Sequence, residues 1–202
     1  MKQKLFLDFD ETLFNHYAYL AWVDTFLENH AIEKGTYQKL ISDFHTSMGE
    51  NMRLYDHVGH IEAVLGRSWG YISGEIEQAL EYQQKDFCYE DVHEFLEKIT
   101  KKSKYDVRIL TYGHGEYQRY KIRTCRVLSQ LRIPIHVVNE PKREFLKREF
   151  PNVEGILIDD KHPLRLPPNW RHIWITRREN DSLADEQQSN VTKITSLLEL
   201  DL

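Results

Sequence analysis

The stretch Lys4-Leu-Phe-Leu-Asp-Phe-Asp-Glu-Thr12 decides how the rest of the chain is read. Leu5, Phe6 and Leu7 form a short apolar run that ends abruptly in charge. A run this short, without polar alternation, fits a strand covered on both faces, as in a parallel sheet. Asp8, Asp10 and Glu11 then follow within four positions. Burying an unpaired carboxylate is expensive. The cluster therefore belongs at the carboxyl end of the strand, where open α/β sheets bind ligands. In an extended chain residues i and i+2 share a face. Asp8 and Asp10 would then address one pocket while Phe9 turns back to the core. Two neighbouring carboxylates repel unless a cation lies between them, and oxygen ligands of this kind suit Mg²⁺. The plain alternative is a surface turn with solvated aspartates.

Composition narrows the class. The chain has 202 residues, enough for one sizeable domain or a core with a small insertion. Its apolar fraction of 41% supports a packed core rather than general disorder. A net charge of -5 offers no broad basic surface for nucleic acid. Cys88 and Cys125, the two cysteines, form no zinc spacing and imply no disulfide framework. A reducing compartment fits best. No signal-peptide stretch opens the chain and no window reaches transmembrane length, so a cytoplasmic protein without a membrane partner is expected. Charge is uneven. Residues 16–89 hold five Lys/Arg against eleven Asp/Glu, and residues 90–202 hold twenty against eighteen. That asymmetry points to a separate module in the first half.

Periodicity agrees. Apolar stripes predict helices over residues 14–32, over a second segment opened by Thr36 and carrying Tyr37, Leu40, Ile41, Phe44 and Met48, and over a third capped by Asp56. A fourth helix is expected from Ser73 or Gly74 through Tyr82, after punctuation by Gly66, Gly70 and Gly74. No strand pattern intrudes, so residues 16–88 read as a helical insertion between core segments 1–15 and 89–202. Trp69 and Tyr71 lie in the glycine-rich stretch, where an aromatic can face a substrate; internal packing is the alternative. His57 and His60 have helical spacing but no partners that complete a metal site. Beyond residue 90, a helix around Val92 to Ile99 precedes a buried strand at Val107 to Leu110. A single helix follows over residues 116–131. Further strands are expected at 135–138, 155–158 and 172–176, with a helix at 142–150 stopped by Pro151. Residues 180–190 read as a polar loop and 191–200 as a terminal helix. Strands alternating with helices predict right-handed crossovers and a mostly parallel sheet.

Asp8-Phe-Asp-Glu-Thr12 after an apolar strand resembles the first motif of the haloacid dehalogenase-like (HAD) superfamily. Three later segments continue the resemblance in order: Arg108-Ile-Leu-Thr111, Glu140-Pro-Lys-Arg-Glu-Phe-Leu146 and Gly155-Ile-Leu-Ile-Asp-Asp160. The resemblance implies an α/β fold, a Rossmannoid three-layer core with core strand order 5-4-1-2-3 and a helical cap inserted after the first strand. It also implies a Mg²⁺-dependent phosphatase acting on a small phosphorylated substrate. In that scheme Asp8 attacks phosphorus and Asp10 protonates the leaving oxygen and later activates water. Negative charges beside Asp10 are expected to raise its proton affinity, an effect that Mg²⁺ would oppose. Asp8, the Asp10 carbonyl and Asp160 hold the metal, with Asp159 in direct or water-mediated support. Thr111 donates to a phosphate oxygen, as do amides at Tyr112 and Gly113 if the turn forms an anion nest. Lys142, with Arg143 as the alternative, supplies positive charge. Taken singly, Thr111 reads equally as a strand-end cap and Lys142 as a solvated helix-end lysine. Thr12 orients Asp10 or caps its turn. Many relatives carry another acid after the last motif; Pro163 and Leu164 stand there instead, and His162 reads equally as an entrance residue or as a structural or solvent-facing one.

Asp10 and Thr12 favour phosphatase over dehalogenase chemistry, which has no leaving-group oxygen to protonate. A phosphomutase or other phosphotransferase would use the same Asp8, and a catalytically weak ligand-binding regulator would keep the fold. A monomer or homodimer is expected.

Overall fold

The computed structural model describes residues 2–30, 56–162, 164–177 and 191–202, with residues 33, 35, 36, 39 and 42 between them. The helix expected to open at Thr36 lies almost wholly outside the described residues. Strand β1 (Gln3–Leu7) is central to a six-stranded parallel sheet. Its partners are β2 (Tyr105–Tyr112), β3 (Ile135–Val138), β4 (Gly155–Asp159), β5 (Trp170–Ile175) and β6 (Val191–Ile194). The order is β3-β2-β1-β4-β5-β6, so the expected 5-4-1-2-3 arrangement is present with one more strand at its edge.

The apolar runs split between two faces because successive side chains of a strand alternate. Leu5, Leu7, Ile109, Ile156 and Ile158 join the larger core. Phe6, Leu110 and Leu157 join a smaller one with Phe145 and Leu146. Those two residues belong to α7 (Lys142–Glu149). The larger face is covered by α4 (Glu90–Lys101), α5 (Gly115–Thr124) and α6 (Arg126–Leu131). At the start of β4, Gly155 is required for packing: a Cβ there would lie 2.4 Å from the Trp170 ring.

Between β1 and α4 the described elements are helices: α1 (His16–Glu28), α2 (His57–Leu65) and α3 (Trp69–Tyr82). Asp56 caps α2 as expected, accepting from the Gly59 N–H at 2.9 Å. Helix α3 starts four residues before the earlier expected start, with Gly70 and Gly74 inside it. Its buried stripe of Trp69, Ile72, Ile76 and Leu80 outweighs the modest cost of glycine. The outgoing and returning segments are zipped together. Asn15 N–H donates to Phe87 O at 2.7 Å, Tyr89 N–H donates to Leu13 O at 3.0 Å, and Phe14 pairs with Cys88 in an antiparallel bridge.

Two expectations need correction. The helix over 116–131 is two helices, broken where Cys125 takes an extended conformation. The terminal helix over 191–200 is instead strand β6 followed by a 3₁₀ turn, Leu197–Glu199. Val191, Thr192 and Ile194 are β-branched, and an open edge of β5 receives them. No helix among the described residues is long and apolar enough to cross a membrane.

Asp91 in the first turn of α4 staples the end of the chain. Its Oδ2 accepts from Arg177 Nη1 at 2.8 Å, Ser196 Oγ at 2.8 Å and Leu197 N–H at 2.7 Å. Arg177 also donates through Nη2 to the Thr12 carbonyl at 2.6 Å, linking this staple to the acidic loop. Burial works to raise the Asp91 carboxyl, but hydrogen bonds from Arg177 and Leu197 outweigh it and hold it below the usual range. A carboxyl lowered by folding contributes stability above its unfolded value, about pH 4. That contribution is lost as pH falls through the folded value. Asp91→Ala is expected to cost about 3–5 kcal/mol in urea unfolding at neutral pH, because it strands a buried guanidinium. The difference from wild type should shrink on acidification below pH 4.

Candidate active site

Parallel register brings the acids together. Leu7 is level with Ile109 of β2 and with Ile158 of β4. One residue further, Asp8 lies just past the end of β1 and Asp159 is the last residue of β4, and Asp8 N–H still donates to Ile158 O at 2.9 Å. Thr111, buried near the end of β2, reaches the same edge. Asp8, Asp10, Glu11, Thr111, Tyr112, Lys142, Arg143, Asp159 and Asp160 all line one cavity of about 520 Å³.

At its floor, carboxylate oxygens of Asp8, Asp159 and Asp160 lie within 4.8 Å of one another. Lys142, at the start of α7, sits between two of them, with Nζ 2.7 Å from Asp8 Oδ1 and 2.5 Å from Asp159 Oδ2. Asp159 Oδ1 also accepts from the Lys161 N–H at 2.8 Å. Asp159 is thus occupied on both oxygens, while among the described residues the Asp160 carboxylate pairs with the exposed Lys161 ammonium alone, at 3.0 Å. Burial, opposed by Lys142 and reinforced by Asp159 and Asp160, holds Asp8 well above the usual carboxylate range. Burial likewise raises Asp160 against the pull of Lys161. Burial disfavours the Lys142 ammonium, but Asp159 and Asp8 outweigh it and keep Lys142 charged. Two carboxylates on one buried ammonium, with a third paired only to a solvent-facing one, leave a deficit of positive charge at the cluster. An all-oxygen donor set in that state fits a hard divalent cation.

The loop after Asp8 curls rather than staying extended. Leu13 and Phe14 N–H groups both return to Phe9 O at 2.9 Å, and Glu11 has φ +56°. Phe9 stacks on Phe14, and Asp8 and Asp10 still face one cavity. Asp10 nevertheless occupies a separate charge centre. Its Oδ1 accepts from Lys121 Nζ at 2.5 Å, its Oδ2 accepts from Gln118 Nε2 at 2.8 Å, and His16 Nδ1 lies 3.6 Å away. Burial pushes Asp10 upward, yet Lys121 and His16 overcome it and hold the carboxyl below its usual range. The expected rise in its proton affinity is therefore reversed in direction. Lys121 is only 1% exposed and lies over the rings of Phe9, Phe14 and Tyr117.

The other sequence expectations divide. Lys142, not Arg143, enters the carboxylate cluster; Arg143 remains half exposed at the cavity wall. Gly113 has φ +143°, and its N–H donates to Val138 O at 3.0 Å, so that amide serves the sheet. A Cβ on Gly113 would meet Gln118 Nε2 at 2.9 Å, so glycine makes room for the residue that holds Asp10. Thr12 is buried outside the cavity lining, where its carbonyl anchors Arg177. Trp69 packs edge-on against Tyr120 with centroids 4.9 Å apart, and Tyr71 is exposed beneath Arg67. Neither lines the cavity, because the buried stripe of α3 takes Trp69 onto α5 and turns Tyr71 outward. His162 stacks on Trp174 rather than lining the entrance.

Sequence reading missed Lys121 and Gln118, and it placed Glu11 in the acidic cluster without giving it a role. Glu11 accepts from the Tyr89 hydroxyl at 2.9 Å and the Tyr17 N–H at 3.2 Å, bridging the cavity wall to both ends of the helical stretch. Lys121 follows Tyr117 by four positions and Gln118 by three, which placed it on a partly buried helix face.

Comparison with solved structures is consistent with this geometry. The chain superposes on a haloacid dehalogenase-like hydrolase from Burkholderia xenovorans with a TM-score of 0.64 at 12% identity, over 100% of both chains. A protein described as a HAD-hydrolase, YfnB from Bacillus subtilis, matches with a TM-score of 0.61 at 15% identity, over 98% of this chain and 96% of that one. A HAD-like family hydrolase from Xanthomonas campestris matches with 0.55 at 16%, over 97% and 91%. No family model and no curated protein matches the sequence. The chain has the HAD-like fold: a parallel Rossmannoid sheet flanked by helices, with helical insertions.

Lys121→Met is expected to destabilise the protein by about 2–4 kcal/mol in urea unfolding, since it removes the ammonium that pairs with Asp10 and leaves only Gln118 and His16 against that carboxylate. A loss near zero would mean that Asp10 relaxes freely into water.

Proposed function

We propose that the protein is a magnesium-dependent phosphomonoester hydrolase that acts on a small organic phosphate through an aspartyl-phosphate on Asp8. The observation that carries this reading is the convergence of Asp8, Lys142, Asp160 and Thr111 on one cavity at the carboxyl edge of the sheet. The fold supports general hydrolase or phosphotransferase chemistry of the HAD type, and the Bacillus subtilis structure is described as bound to magnesium and as revealing interdomain movement.

Asp8 and Asp160, with the Asp10 carbonyl, would hold the cation, and Asp159 would support it indirectly while anchoring Lys142. The ion supplies neutralisation of phosphate charge. Asp8 is the nucleophile: its carboxylate forms the new bond to phosphorus as the ester oxygen leaves. Lys142 keeps that carboxylate oriented and offsets charge on the transferring group. The Thr111 hydroxyl and the Tyr112 amide, on residues that line the same cavity, would donate to phosphate oxygens. Asp10, held ionised by Lys121, suits the second half of the reaction, in which it takes a proton from the attacking water. Its service as an acid in the first half requires it to leave Lys121 and acquire a proton. Residues 16–88 act as a helical cap over the cavity, excluding stray water when closed. Tyr17, His16 and Glu11 are the cap-side and linker residues that line the cavity.

Phosphate release from a broad panel of phosphomonoesters, with Mg²⁺ and with chelator, tests the proposal. Turnover should require the metal and fall at least on the order of 10³-fold in Asp8→Asn. Thr111→Ala should cost roughly 10²-fold, the usual effect of removing one donor to a developing oxyanion. Undiminished turnover by folded Asp8→Asn would remove Asp8 as the nucleophile. Transfer to an added acceptor without free phosphate would make the protein a phosphotransferase.

A further inference from the structure

Away from the cavity, the two cysteines of the chain come together. Cys88 lies on the segment that returns from the helical stretch, and Cys125 lies at the break between α5 and α6. Their sulfurs and a carboxylate oxygen of Asp86 lie within 4.8 Å of one another. The approach is held by the backbone of both segments. Asp86 Oδ1 accepts from the Cys88 N–H at 2.9 Å, and Oδ2 accepts from the N–H of Arg126, the residue after Cys125, at 3.2 Å. One carboxylate thus fixes the two cysteine-bearing segments side by side.

The two thiols differ in access. Cys125 is fully buried in the larger core, and its thiol donates to Lys121 O at 3.6 Å. Burial pushes that thiol well above its ordinary range, with Cys88 adding to the shift. Cys88 is half-buried and lines a second cavity at the surface. A half-exposed thiol beside a buried one divides the roles of first target and resolving group.

We propose that Cys88 and Cys125 form a modification site, a dithiol that closes to an intramolecular disulfide when the protein meets a hydroperoxide. In the first step the Cys88 thiolate attacks one peroxide oxygen and the O–O bond breaks. The departing hydroxide takes a proton to become water, leaving Cys88 as a sulfenic acid. In the second step the Cys125 sulfur attacks the Cys88 sulfur and the S–O bond breaks. The hydroxyl leaves as water with the Cys125 proton. Each sulfur gives up one electron, and the peroxide takes both. The closed disulfide ties the returning segment to the α5–α6 junction. That segment is already paired with Leu13, Phe14 and Asn15. The bond therefore fixes both connections between the sheet and the helical stretch. This inference does not depend on the phosphatase reading.

The test treats the folded full-length protein with equimolar hydrogen peroxide, unfolds it, alkylates the remaining thiols and measures its mass. The expected result is loss of two hydrogens, no alkylation at either cysteine, and a linked peptide pair in a non-reducing digest. Dithiothreitol should restore both alkylation sites. Cys88→Ser should abolish closure and leave Cys125 unoxidised. Over-oxidation of Cys88 with Cys125 still alkylated would overturn the proposal, as would disulfides only between separate molecules. Native mass measurement before peroxide supplies a third check. Zinc bound stoichiometrically through both thiols, blocking closure until chelation, would make this a metal site and overturn the disulfide assignment.

Discussion

Lys142 is the constraint on which the rest of the site depends. A parallel sheet aligns the carboxyl ends of β1 and β4, and that alignment forces Asp8 and Asp159 into proximity. Without a cation, two buried carboxylates so placed would repel and take up protons. The ammonium at the start of α7, 2.7 Å from one and 2.5 Å from the other, makes the arrangement tolerable. Among the described residues it leaves the Asp160 carboxylate to the exposed Lys161. The same electrostatic shortfall that costs stability is consistent with a site for a divalent ion.

The second charge centre obeys a different logic. Asp10 is two residues from Asp8, yet its partners come from α5 and the start of α1 rather than from α7. The curled loop between them keeps the two aspartates on one cavity but in separate fields. Asp8 is pushed toward protonation and Asp10 toward ionisation. Pairs of acids driven apart in this way are how a single pocket assigns distinct proton roles. Gly113 and Gln118 join this centre to the loop after β2, so its geometry is tied to the position of Thr111.

Much of the fold was legible because its signals are local. Apolar runs cut off by charge located β1 and β4, and the alternation of strands with helices gave the parallel class. The additional strand β6 was obscured by Thr192 and Thr195, which weaken a helix without announcing a strand; its state is settled by the free edge of β5. Trp69 was misplaced because glycines on either side suggested a loop, whereas the buried stripe of α3 decided the matter. At the site, the acids and Thr111 could be found from strand ends. The choice of Lys142 over Arg143 depends on helix phase, which a sequence motif does not fix. Lys121 was invisible for a physical reason: a lysine in an amphipathic helix ordinarily faces water, and only the three aromatic rings beneath it and the distant Asp10 explain its burial.

The central claim is that Asp8 bonds to phosphorus. It is tested most directly by acid-quenching the protein during turnover of a phosphomonoester that it hydrolyses, then mapping its peptides by mass. The account predicts a single phosphoryl group on the peptide carrying Asp8, lost when the quenched protein is exposed to hydroxylamine. A phosphoryl group on any other side chain would contradict it, as would hydrolysis that proceeds under single-turnover trapping with no covalent adduct.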